Sequence, residues 1–103
     1  MDKIASVKIG PFYYVIEYVK DLHDQSEKLD GHVQHGQTRI RLDADLNPQA
    51  QTQTLLHEIV HVIATQIGVS NLKEEVVDAM AFSLYQVVRE NPHLVKMINR
   101  KIG

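Results

Sequence analysis

A chain of 103 residues, 44% apolar and 23% charged, has room for one modest hydrophobic core and for no second folding unit, so one domain is expected over residues 1–103. A net charge of −2, with Lys and Arg scattered along the chain, excludes the electrostatic footprint of a protein that binds nucleic acid or an anionic membrane. Cysteine is absent, which excludes disulfides and thiolate ligands and leaves histidine and carboxylate as the only strong metal ligands. The first residues, Met1-Asp2-Lys3-Ile4-Ala5, lack the apolar stretch of a signal peptide, and no apolar run is long enough to span a bilayer. A soluble cytoplasmic protein is the resulting expectation.

The first half of the chain reads as strands. Val7 to Ile9 stops at Gly10-Pro11, a turn signal. Phe12 to Val19 is aromatic and β-branched, with Phe12, Tyr14, Ile16 and Tyr18 on one face. Lys20 to Asp30 is polar and charged and reads as an exposed connection. Gly31–His35 and Thr38–Leu42 then flank a tight turn at His35-Gly36-Gln37, with Ile40 and Leu42 alternating against Arg39 and Arg41. Two hairpins forming one antiparallel sheet of three or four strands are expected.

The second half reads as helices. Asn47-Pro48 supplies an N-cap and a proline at the first helical position. Leu56, Ile59, Val60, Ile63 and Ile67 follow at helical spacing until Gly68. Asn71 can cap a second, antiparallel helix with Val77, Met80, Ala81, Leu84 and Val88 on one stripe. Asn91-Pro92 breaks it, and His93 to Lys101 fits a short last helix. Strands followed by helices make an α+β fold.

Chemistry concentrates in His57-Glu58-Ile59-Val60-His61. Residues four apart lie one above the other on a helix, so both imidazoles can grip one zinc ion at about 2.0–2.1 Å. Glu58 lies about 100° around the helix from His57, beside the ion, where it can act as general base toward the attacking water. On the wheel the apolar stripe of this helix centres on Leu56 and Ile63, with the two histidines on its shoulder beside Ala64.

Catalytic zinc takes three protein ligands and leaves one position open. Glu74, Glu75 and Asp78 are the candidates for the third. With Val77 at zero, Ala81, Leu84 and Val88 lie within about 40° and Glu74 at about 60°, whereas Glu75 falls at about 160°. Glu74 thus faces the first helix. A capping-box role for Glu74 with Asn71 is the competing assignment. Asp78, on the same flank, can accept a hydrogen bond from the second ring nitrogen of His57. His32 and His35 are weaker candidates to line a cleft. Arg39 and Arg41 suit the solvated face of an edge strand, or contact with a substrate peptide. Tyr13, Tyr14 and Tyr18 suit strand packing, and His23 and His93 carry no signal.

The stretch from Leu55 to His61, followed by Glu74 and Asp78, resembles the gluzincin metallopeptidases, and among them the small ImmA/IrrE-type proteins, including short versions encoded by phages and prophages. That resemblance spans roughly residues 30–95 and rests on His57, Glu58, His61 and Glu74. It implies a zinc metallopeptidase acting on a protein or peptide substrate, with His57, His61 and Glu74 as ligands and Glu58 as catalytic base. It also implies a minimal zincin-like fold whose edge strand borders the cleft. The alternative is a non-catalytic, zinc-stabilised protein-binding module.

Overall fold

The computed structural model describes residues 3–69 and 71–101. Strands β1 (Ser6–Ile9) and β2 (Phe12–Val19) form an antiparallel hairpin across the Gly10-Pro11 turn, with Ile9 opposite Phe12. Tyr14 and Ile16 are buried, as the alternation predicts, while Phe12 at the strand end is exposed. Strands β3 (His23–Asp24) and β4 (Glu27–Lys28) make a second, small hairpin. Strand β5 (Gly31–Gln34) leads through a short 3-10 turn at His35–Gln37 into β6 (Arg39–Asp43).

The main sheet has four strands in the order β1-β2-β6-β5. It is mixed rather than wholly antiparallel: β2 and β6 run parallel, from Val15 opposite Arg39 to Val19 opposite Asp43. The cause is the core demand of β6. Ile40 and Leu42 are essentially inaccessible, at 0% and 1% exposure, so β6 takes an inner position. The more polar β5 is left at the edge. Residues 20–38 are long enough to return the chain for a parallel pairing, which needs a dozen or more residues.

That connection is less free than its charge suggests. Leu22 is buried, and Lys28 of β4 forms an ion pair with Asp43 at the end of β6. Asp43 also accepts a hydrogen bond from the Asp45 amide. Its carboxyl is held below the usual range, first by the Lys28 hydrogen bond and then by that amide.

Helix α1 (Pro48–Gln66) begins as the sequence predicts, with Asn47 Oδ1 accepting from the Ala50 amide at 2.8 Å. Its burial does not centre on Leu56 and Ile63, because α1 lies between two neighbours. Val62 joins the buried cluster of Ile9, Tyr14, Ile16, Val33, Ile40 and Leu42 on the sheet, and Val60 joins that of Val77 and Ala81 on the next helix. These two positions are about 160° apart on the wheel, and Ile63 is left exposed.

Gly68 has φ +81° after α1, a conformation that terminates helices. The expected turn over Gly68–Ser70 lies partly outside the described residues. Helix α2 (Glu74–Glu90) starts later than an Asn71 cap requires: Lys73 is the capping residue, with an extended backbone and no side-chain cap. Leu72 packs against the Val60–Val77–Ala81 cluster, which keeps residues 71–73 out of the helix. Along α2 only Val77 and Ala81 are buried, whereas Met80, Leu84 and Val88 are exposed, since the helix packs chiefly on α1. Helix α3 (Pro92–Ile98) follows the break at Asn91-Pro92. No helix among the described residues is long and apolar enough to cross a membrane.

Candidate metal centre

His57 and His61 project from adjacent turns of α1 with ring centroids 4.8 Å apart and Nε2 atoms 3.1 Å apart. Glu74, the first residue of α2, reaches both: Oε2 is 2.9 Å from His57 Nε2 and Oε1 is 2.8 Å from His61 Nε2. One ligand atom from each of the three residues falls within 4.8 Å of the others, so the group could hold a metal ion. Two nitrogens bound to one tetrahedral ion at about 2.05 Å are about 3.3 Å apart, close to the separation seen here. Glu75 is not part of the group, and the late start of α2 removes the capping-box role of Glu74.

Asp78, one turn beyond Glu74, places Oδ1 2.6 Å from His57 Nδ1. With Nδ1–H donating to this carboxylate, the Nε2 lone pair is left for an ion shared with His61 and Glu74. The wheel argument from sequence located both carboxylates.

Glu58 is only 7% exposed, lies beneath the edge strand and, among the described residues, has His57 Nε2 as its one ion-pair contact, at 4.0 Å. Burial pushes its carboxyl up to about 7; His57 opposes this, while the negative charges of Glu74 and Asp78 add to it. Glu58 is therefore poised to change protonation near neutrality. The close approach depends on Gly31: a Cβ there would stand 2.7 Å from Thr54 Cγ2 and 3.1 Å from Glu58 Oε2. The sequence gives no sign of this, because Gly31 opens a strand and has no unusual φ.

A cleft of about 480 Å³ is lined by His57, Glu58, His61 and Glu74. His32 and His35 also line it, as do Asp24 and Glu27 of the β3–β4 hairpin. The two carboxylates were not legible in a segment that reads as exposed connection. A second cavity, of about 510 Å³, shares His57 and is lined by Asp30, Thr54, Asp78, Ala79 and Phe82 among others. Arg39 and Arg41 line neither cavity. Their strand is internal rather than an edge, and they pair with Glu17 at 3.6 Å and 3.0 Å. Tyr14 is buried and the Tyr18 hydroxyl donates to the Ile4 carbonyl at 2.9 Å, so both serve packing. Comparison of the chain with family models, curated proteins and solved structures finds no match.

Proposed function

We propose that this protein is a zinc-dependent metallopeptidase, with His57, His61 and Glu74 as the zinc ligands and Glu58 as the catalytic base. One observation carries the reading: two imidazoles and a carboxylate converge beside the buried Glu58 carboxyl, which has no hydrogen-bond partner among the described residues. Two imidazoles and one carboxylate suit zinc, and a set of three leaves a coordination position for chemistry. Among the described residues no fourth His or carboxylate joins the group, in contrast to a closed structural site.

Zinc, when bound, supplies Lewis-acid polarisation of a peptide carbonyl and makes water a stronger acid. The chain's own residues supply the rest. The Glu58 carboxylate takes a proton from the attacking water and delivers it to the departing amine, a role that its buried place beside His57 allows. Asp78 fixes the tautomer and ring orientation of His57. Among the described residues strand β5 is paired only with β6, so an extended peptide has a strand edge to lie against, next to Glu58.

The test is metal content and proteolysis measured on the same preparations. Wild type is expected to hold near-stoichiometric zinc and His61→Ala to lose it. Glu58→Gln is expected to keep zinc while peptide hydrolysis falls by about 10²–10⁴-fold. Wild type that takes up no zinc overturns the reading. Wild type that holds zinc and cleaves no peptide replaces it with a zinc-stabilised protein-binding module.

A further inference from the structure

We propose that the cleft selects polypeptide segments carrying a lysine or arginine side chain beside the scissile bond. This rests on the peptidase reading and adds a substrate class to it.

The first support is charge. The residues lining the two cavities that meet at His57 include Asp24, Glu27, Asp30, Glu58, Glu74 and Asp78, and no lysine or arginine. A bound dication is offset by Glu58 and Glu74, and Asp78 is committed to His57. Asp24, Glu27 and Asp30 remain, all exposed and without an ion-pair partner among the described residues. Lys73, next to Glu74, lines neither cavity, and the cations on the sheet and the small hairpin are engaged elsewhere. Lys28 pairs with Asp43 and Asp21, and Arg39 and Arg41 pair with Glu17. The cleft thus stays negative with the ion in place, and it attracts cationic segments and repels acidic ones.

The second support is shape and chemistry. The cavity of about 510 Å³ sets Ala79, Ala81 and Phe82 beside Asp30. Lysine and arginine have this same composition in reverse, an apolar stem ending in a charged head. A purely apolar side chain would cover Ala79 and Phe82 but gain nothing from the Asp30 carboxylate, which a cationic head can reach. The third support locates the ligand: the Glu58 side chain is about nine-tenths buried, has no hydrogen-bond donor among the described residues and lines the adjoining cleft. The peptide bond belongs there, and the cavity that shares His57 with this cleft receives a flanking side chain.

The experiment uses zinc-loaded protein and matched peptides that differ only in arginine or its uncharged isostere citrulline next to the cleaved bond. The expected result is a kcat/KM about tenfold or more higher for the arginine peptide at low ionic strength, with the advantage shrinking as salt is added. Asp30→Asn combined with Glu27→Gln is expected to erase most of that advantage while zinc stoichiometry stays at the wild-type value. Asp24→Asn provides a second variant at an exposed position. Equal cleavage of the two peptides by wild type overturns the substrate class and leaves the peptidase reading standing. An arginine preference that survives all these variants overturns the assignment to these carboxylates. Absence of cleavage of every peptide by zinc-loaded protein overturns the peptidase reading, and this inference with it.

Discussion

Glu58 shows how one residue's surroundings set its chemistry. Burial raises its carboxyl to about 7, well above the value near 4.5 of the unfolded chain. Between those two values the folded protein holds a proton that the unfolded chain releases, so folding is favoured by acid. In metal-free protein this stabilisation is fully present below about pH 4.5 and is lost as pH rises through about 7. Thermal unfolding in the presence of a chelator is therefore expected to show wild type losing stability relative to Glu58→Gln between pH 5 and pH 8, as judged roughly from those pKa values. A parallel pH dependence of the two proteins would sink this account. The sequence placed Glu58 beside the histidines but carried no signal of its burial. That depends on a strand approaching from a distant part of the chain over a glycine.

At the scale of the elements, α2 holds its two carboxylates in place through very little buried surface. Val77 is fully buried and packs with Ala81 against Val60, whereas Met80 is half exposed. Val77→Ala is expected to destabilise the protein by about 2 kcal/mol and to weaken zinc binding, because it loosens the helix that carries Glu74 and Asp78. Met80→Ala should stay within about 0.5 kcal/mol of wild type. Denaturant titration and zinc competition on both variants check this; equal effects would show that α2 is not anchored at Val77. Local signals are legible where a single residue type fixes the backbone: the Asn47-Pro48 start, the Gly68 stop and the Asn91-Pro92 break. Pairing partners were not legible. Alternation in β2 and β6 states which side chains face inward but not which strand lies alongside or in which direction, so the parallel pair escaped. The burial of α1 on two sides, and the delayed start of α2 at Glu74, likewise follow from neighbours that the local pattern does not specify.

For the whole molecule, an ion at this site would tie α1 to α2, with β5 closing over Glu58. Ligand present at about 100 times its dissociation constant stabilises a fold by about 2.7 kcal/mol, which in a protein this small corresponds to roughly 10–20 °C in Tm. Chelation of zinc-loaded wild type is expected to lower Tm by that amount, whereas His61→Ala, lacking a ligand, should unfold at the same temperature with and without chelator. A Tm unmoved by chelation of wild type would mean that the ion does not bind the folded state more tightly than the unfolded one.

Gly31, introduced for its closeness to Glu58, also makes an uneven map of what substitutions the chain tolerates. A methyl group at residue 31 meets Thr54 and Glu58 at once, while one at Gly36 meets nothing within 4 Å. Under selection for activity, saturation mutagenesis should return only glycine at residue 31 and a broad spectrum at residue 36. Gly68, with open space but φ +81°, should accept asparagine before other side chains. The three positions separate intolerance caused by a crowded neighbour from intolerance caused by the backbone itself. Free choice at residue 31 would mean that the strand and helix can part there without losing the reaction.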